Sequence, residues 1–191
     1  MPNWCQNNVT FSHTEKAMID RIYNAADDGK LFRSFIPVPQ QLSDTINGYL
    51  GDDNEQQKLL EQQALNTKQY GYPTWYEFCL SEWGTKWDAS DLEINDLYDN
   101  NPDDIHHITL SFSTAWSPPI EFYETLIDQL GFEIEATYYE GGCGFCGRYS
   151  NGTNTEYTWN DLKSARQNIP VDLDEEYCIT EMLEEYEEDE E

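Results

Sequence analysis

Residues 108–113 read Ile-Thr-Leu-Ser-Phe-Ser, an alternation of apolar and polar side chains that is typical of a strand with one buried face. Ser117-Pro118 follows and predicts the start of a helix, because proline suits the first helical position. An apolar stripe over 122–130 gives this helix one buried side, and Gly131 ends it. Residues 132–138 then alternate again. This β-α-β stretch decides the fold class.

The rest of the chain shows the same two patterns. Residues 5–11 alternate as a strand, and a helix is predicted over 14–28. A helical insert is expected at about 30–90, beginning with a proline-containing loop and continuing as a glutamine-rich helix. Further strands are predicted at 91–97 and 145–150.

This order matches the split βαβ, ferredoxin-like arrangement once the insert is set aside. We predict an α+β fold with an antiparallel sheet and helices on one face. The ferredoxin-like domain with its insert is expected to cover residues 1–170. Residues 171–191 are predicted to form an acidic, amphipathic C-terminal helix, with Ile179, Met182 and Leu183 on its apolar side.

The chain is unusually acidic. The 191 residues contain 38 acidic and 10 basic side chains, which gives a net charge of −28. Twenty-eight charges correspond to roughly 48 Å of duplex DNA, and a compact chain of this length is about 40 Å across. The charge per unit length is therefore comparable with that of DNA. This argues against direct binding to nucleic acid or anionic membranes and favours a basic partner or plain solubility.

Eleven carboxylates are candidates for a partner-binding surface, because they form two runs of acidic residues. They are Asp88, Asp91, Glu93, Asp96, Asp99, Asp103 and Asp104, followed in the tail by Glu184, Glu185, Glu187 and Glu188. A solvated face is the ordinary interpretation of such runs. The alternative is a surface that mimics the phosphates of DNA and occupies the phosphate-binding sites of another protein.

A short loop reads Trp-Gly-Thr-Lys-Trp-Asp. One hypothesis is a recognition pocket with Trp83 and Trp87 as walls, Lys86 as a charged anchor and Trp116 as a further wall. The other is a Lys86–Asp88 tether with both loop tryptophans packed on the sheet. We favour the second, structural hypothesis.

Five cysteines lie at positions 5, 79, 143, 146 and 178. Their odd number and the length of the chain argue against a disulfide framework. Cys143 and Cys146 form a CxxC, which is compatible with a redox dithiol or half of a zinc site. A redox dithiol opens a helix, whereas this motif is predicted in a strand–turn–strand. We therefore expect structural thiols, no metal, no cofactor and no catalytic residue.

Several segments together resemble one known family. They are Pro2-Asn3-Trp4-Cys5, Phe35–Pro39, Trp83–Ala89, Thr114–Pro119 and Glu140–Gly147. The chain resembles the YubB-like (Api-type) family of ferredoxin-like-domain proteins, which phages, plasmids and genomic islands encode. The resemblance implies the fold and an origin in a mobile element. The family has no assigned enzymatic activity and no agreed catalytic residues, so the resemblance does not indicate a reaction.

We expect a non-enzymatic accessory protein that inhibits a host nucleic-acid-binding defence protein, of the anti-restriction or anti-CRISPR type, by DNA mimicry. The expected partner carries a basic nucleic-acid-binding surface, and the oligomeric state is left open. A small-ligand-binding protein or enzyme that uses the tryptophan-lined pocket is the alternative, and an interaction protein without inhibitory activity is a third. The N-terminus has neither the basic nor the apolar region of a signal peptide, so we expect a location in the host cytoplasm.

Overall fold

A computed structural model describes residues 3–98 and 105–189 of the chain, and within them it contains six strands and nine helices. The strands are β1 (Trp4–His13), β2 (Ser90–Tyr98), β3 (His106–Ala115), β4 (Glu133–Glu140), β5 (Phe145–Ser150) and β6 (Thr153–Thr158). The helices are α1 (Lys16–Asp27), α2 (Leu31–Phe35), α3 (Gln40–Ser43), α4 (Asp53–Tyr70), α5 (Trp75–Glu82), α6 (Ile120–Leu130), α7 (Leu162–Asn168), α8 (Val171–Tyr177) and α9 (Ile179–Asp189).

The strands form a single antiparallel sheet in the order β2-β3-β1-β4-β5-β6. The first four positions have the strand order of a ferredoxin-like β-α-β-β-α-β unit, in which α1 and α6 are the two crossover helices. Strand β1 is central, so that Val9 lies opposite both Leu110 in β3 and Ala136 in β4. The predicted ferredoxin-like α+β fold is confirmed.

Helices α1 and α6 cover the same face of the sheet, as predicted. Ile19 and Ile22 of α1 pack in one apolar core with Phe122 of α6 and with Phe11 of β1. This arrangement follows from the alternation in the strands, because every second side chain of β1, β3 and β4 points toward the helices. We call the opposite side of the sheet its outer face.

The insert between α1 and β2 is helical, as expected, but its first part is more regular than the sequence indicated. Residues 30–45 contain α2 and α3 in place of a continuous loop. Helix α4 begins where Asp52 accepts hydrogen bonds from the backbone of Asn54 and Glu55, and it ends at Gly71, which has a φ of 86°. No helix in the described part of the chain has both the length and the apolar character needed to span a bilayer.

A β-hairpin that the sequence prediction missed joins β5 to β6. Its two-residue turn is Asn151-Gly152, with φ values of 42° and 91°. Positive φ at both positions is the requirement of the tight hairpin turn that Asn-Gly favours. The hairpin extends the sheet beyond the ferredoxin-like unit and gives the C-terminal helices a surface to cover.

The C-terminal segment forms two helices, where a single amphipathic helix was predicted. The chain bends at Cys178, which has a φ of 52°, and Asp174 accepts hydrogen bonds from both the backbone and the hydroxyl of Thr180. Asp174 thereby supplies acceptors at the start of α9 while belonging to α8. The helices α7 to α9 build a second apolar cluster on the outer face of the β4–β5 hairpin, formed by Cys146, Trp159, Ala165, Ile169, Leu173, Tyr177 and Ile179.

We predict that deletion of residues 172–191 destabilises the protein strongly. Leu173, Tyr177 and Ile179 are all buried, and each buried apolar side chain of this size contributes about 1.5–3 kcal/mol. The free energy of unfolding should fall by at least about 4 kcal/mol, measured by urea denaturation. Deletion of residues 184–191 is the control, because Tyr186 is 70% exposed. Equal stability of the two truncated proteins would contradict the prediction.

Candidate binding surfaces

Short polar side chains line the outer face of the sheet between β2 and β4. We call these side chains the polar floor; they are Gln6, Asn8, Thr10, Thr109, Ser111 and Ser113. They alternate along β1 and β3 with the core residues and therefore point away from α1 and α6. Two cavities of about 340 and 180 Å³ lie on this floor, and Asn8 lines both of them.

The edge strand β2 carries three carboxylates beside the polar floor, and we call them the β2 rim. Glu93 lies opposite Ser111 and Asp96 lies opposite Thr109, so both side chains share the outer face with the floor. Asp91 lines the smaller cavity together with Glu93. Within the described residues, no group hydrogen-bonds or ion-pairs with these three carboxylates. The β2 rim is therefore free to meet a partner.

Helix α8 and strands β4 and β5 supply the opposite border, which we call the α8 rim. Arg148 donates two hydrogen bonds from Nη2 to the carboxylate of Asp172, at 2.9 and 2.8 Å. Glu176 accepts hydrogen bonds from Asn8 and Thr137, each at 2.7 Å. These groups hold α8 against the sheet and shape the border. The polar floor and its two rims together form what we call the outer groove.

The predicted partner-binding residues do not form one continuous surface. Asp91, Glu93 and Asp96 form the β2 rim, whereas Asp99, Asp103 and Asp104 lie outside the described residues. Glu184, Glu185 and Glu187 are exposed on α9, which also contains Glu188, and Glu184 pairs with Arg166 at 2.5 Å. The prediction missed the α8 rim and the polar floor. The alternation of residues 108–113 already indicated the floor, but nothing local in the sequence indicates where α8 lies.

Asp88 is paired within the protein and is therefore not part of the predicted acidic binding surface. Its side chain is only 11% exposed and forms an ion pair with Arg33 at 3.0 Å. It also accepts hydrogen bonds from the backbone N–H groups of Phe32 and Arg33 at the start of α2. Asp88 therefore caps the N-terminus of α2, although the two segments are far apart in sequence. The predicted Lys86–Asp88 tether is not formed, because Asp88 is bound to α2.

A cavity of about 300 Å³ lies where α5 and the following loop meet the start of the insert. Its walls include Trp75, Trp83 and Trp87, and its two cationic side chains are Arg33 and Lys86. Trp83 is buried and Trp87 is 37% exposed. The predicted pocket residues Trp83, Lys86 and Trp87 therefore come together. Trp116 does not line this cavity and is 48% exposed on the surface.

The loop that follows α5 is tied to the turn between β3 and α6. The hydroxyl of Thr85 donates to the carbonyl of Ala115 at 2.9 Å, and the hydroxyl of Ser117 donates to the carbonyl of Gly84 at 2.6 Å. Gly84 has a φ of 80°, and a β-carbon there would lie 2.0 Å from the carboxylate of Glu121. The loop is thus held in one conformation, which fixes the wall of the cavity.

The two thiols of the CxxC lie in different surroundings. Cys143 is exposed in the turn after β4, and its hydrogen bond with Glu140 raises the pKa of its thiol. Cys146 is buried beneath the C-terminal helices, and burial raises the pKa of its thiol to about 12. Neither thiol is ionised at neutral pH, which does not suit a redox dithiol. The described residues contain no cluster of three or more histidine, cysteine or carboxylate side chains that could hold a metal ion.

We predict that Cys146→Ser lowers the free energy of unfolding by about 1–3 kcal/mol, because a hydroxyl replaces a thiol in an apolar site. Cys143→Ser should change it by no more than about 0.5 kcal/mol, since Cys143 is exposed. Urea denaturation of the two single variants measures both effects. A larger loss for the variant at position 143 would contradict this assignment.

We predict that Asp88→Ala costs about 2–4 kcal/mol of stability, because it leaves the backbone N–H of Phe32 and the Arg33 side chain without their acceptor. Glu93→Ala is the matched control and should stay within about 0.5 kcal/mol of the parent protein. Thermal and urea denaturation would compare the two. A stable Asp88→Ala protein would return Asp88 to the candidate binding surface.

Known proteins resemble this chain in sequence and structure. The family model described as "Ferredoxin-like domain in Api92-like protein" matches residues 82–190. Among solved structures, the protein api92 from Yersinia pseudotuberculosis is similar, with 11% sequence identity and a TM-score of 0.39; the alignment covers 84% of this chain and 99% of that one. Curated proteins give no match. Because the family match covers more than half of the chain, this protein belongs to the family of Api92-like proteins with a ferredoxin-like domain.

Proposed function

We propose that this protein is a non-enzymatic accessory protein of a phage or another mobile element. It acts in the host cytoplasm by binding the basic surface with which a host defence protein, of the restriction or CRISPR type, holds nucleic acid. Binding there excludes DNA, so the protein acts as a DNA mimic. The observation that carries the proposal is the β2 rim, where three exposed carboxylates have no bonded partner in the described chain.

The overall charge favours a basic partner. A net charge of −28 attracts cationic surfaces over long distances and speeds their encounter with this protein. Some carboxylates are used internally, as Asp88 and Asp172 are in their ion pairs with arginines. The carboxylates of Asp91, Glu93 and Asp96 have no such use, which leaves their charge available for lysine or arginine side chains of a partner.

The dimensions of the outer groove suit one element of a partner. Neighbouring strands lie about 4.8 Å apart, so β2 and β4 are separated by about 14 Å across β3 and β1. An α-helix with its side chains is about 10–12 Å wide. A basic helix or an extended basic segment could therefore lie on the polar floor, where hydroxyl and amide groups accept or donate hydrogen bonds. Its cations would then face the two rims.

The experiment begins with capture of partners from host lysate on the immobilised protein at physiological salt, followed by elution with duplex DNA and identification by mass spectrometry. We expect DNA to release a nucleic-acid-binding protein. In a titration of that partner with labelled duplex, this protein should compete, and its affinity should fall steeply as salt rises. Simultaneous binding of duplex and protein to the partner would refute mimicry.

We predict that the double variant Glu93→Lys/Asp96→Lys loses at least about tenfold in affinity for that partner. The control is Glu124→Lys/Asp128→Lys on α6, which changes the net charge equally but lies on the helical side of the sheet. The control should retain most of the affinity. Equal losses in both variants would show that overall charge, and not the outer groove, determines binding.

A further inference from the structure

We propose that the cavity beside α5 is a binding site for a small planar organic anion, in which an aromatic ring carries a carboxylate or a phosphate. This site is separate from the proposed inhibitory surface, because the cavity and the outer groove share no lining residue. With a volume of about 300 Å³, the cavity is at the lower end of the range for small-molecule sites. A ligand with one or two fused rings fits this size.

The walls provide flat aromatic surfaces held in fixed positions. The indole Nε1 of Trp83 donates a hydrogen bond to the carbonyl of Ile36 at 3.0 Å. This bond satisfies the polar group of the buried ring and fixes the orientation of the ring. The ring of Trp87 lies 6.2 Å from that of Trp4. Trp83 is 1% exposed and therefore closes the cavity as a fixed wall, whereas Trp87, at 37% exposed, is the ring on which a planar ligand can stack.

The charge in the cavity is positive, in contrast to the protein as a whole. The ammonium of Lys86 lies 4.6 Å from the centre of the Trp87 ring and 5.7 Å from that of Tyr76. In the described part of the chain Lys86 forms no ion pair, although the chain contains 38 carboxylates. Asp88 also lines the cavity, but its charge is paired with Arg33, so the ammonium of Lys86, which contacts only aromatic rings among the described residues, leaves the lining with a net positive charge.

These features determine the class of ligand. Lysine binds a carboxylate or a phosphate as a compact point charge, and the tryptophan faces favour a flat apolar body. A cationic ligand would meet the ammonium of Lys86 at close range and would be repelled, since the one carboxylate that the described residues contribute to the lining, Asp88, is already paired with Arg33. The negative net charge of the protein opposes binding of an anion only weakly, because at physiological salt the exposed carboxylates more than about 8 Å from the cavity are largely screened.

The test uses isothermal titration calorimetry at physiological salt with two anions and their uncharged analogues. Adenosine monophosphate is compared with adenosine, and 2-naphthoate with 2-naphthamide, so that the two arms separate phosphate from carboxylate. We expect at least one anion to bind about tenfold more tightly than its uncharged analogue. Absence of binding by both anions at about 5 mM would overturn the proposal, as would equal affinity for the anion and its analogue.

Variants then assign the binding to this cavity. Lys86→Met keeps most of the side-chain length and should weaken binding about tenfold, and Trp87→Leu should weaken it as well. Lys58→Met on α4 and Trp116→Leu are the controls, because neither residue lines the cavity, and both should bind like the parent protein. Thermal midpoints verify that each variant is folded. Unchanged binding by folded Lys86→Met would overturn the proposal.

Discussion

The pairing of β1 on both of its edges is the constraint on which the rest of the structure depends. Its ten residues lie opposite β3 along their whole length, and Gln6 to Ser12 lie opposite β4 as well. A shift of one residue would exchange the two faces of the strand. Val9 and Phe11 would then lie in the outer groove, and Asn8 and Thr10 would enter the apolar core. The same register thus determines both the helix-covered core and the polar floor.

The acidic composition imposes a second constraint, since like charges repel one another in the compact state. The structure meets it in two ways. Carboxylates such as Asp88, Asp161 and Asp174 accept hydrogen bonds at helix starts, where the backbone N–H groups need acceptors. Others are placed on exposed positions of the edge strand β2 and of α9, where water solvates them. Charged side chains on β2 also discourage pairing of this edge with another chain.

Local patterns predicted the elements that contain long alternations or apolar stripes, and tertiary contacts decided the others. The strands β1, β3 and β4 followed from periodicity, and the helix α6 followed from its apolar stripe together with Pro118 at its start and Gly131 at its end. The hairpin at Asn151-Gly152 carried a strong local signal that the prediction did not use. The bend at Cys178 had no such signal, because the hydrogen bonds that accompany it join Thr180 to Asp174, six residues earlier, and neither residue type predicts this pairing. The partner of Asp88 was also unpredictable, because Arg33 is 55 residues away in sequence and the nearer Lys86 contacts aromatic rings.

The order of β1, β3 and β4 along the chain has a consequence for folding during synthesis. His13 pairs with His106, and Gln6 pairs with Tyr139, so the partners of β1 are made roughly 90 to 130 residues after it. At roughly 5–20 residues per second, translation needs about 5–27 s to supply them. During this interval the N-terminal strand stays without its native partners on the ribosome. Its alternating asparagine and threonine side chains limit non-native association until the sheet closes around it.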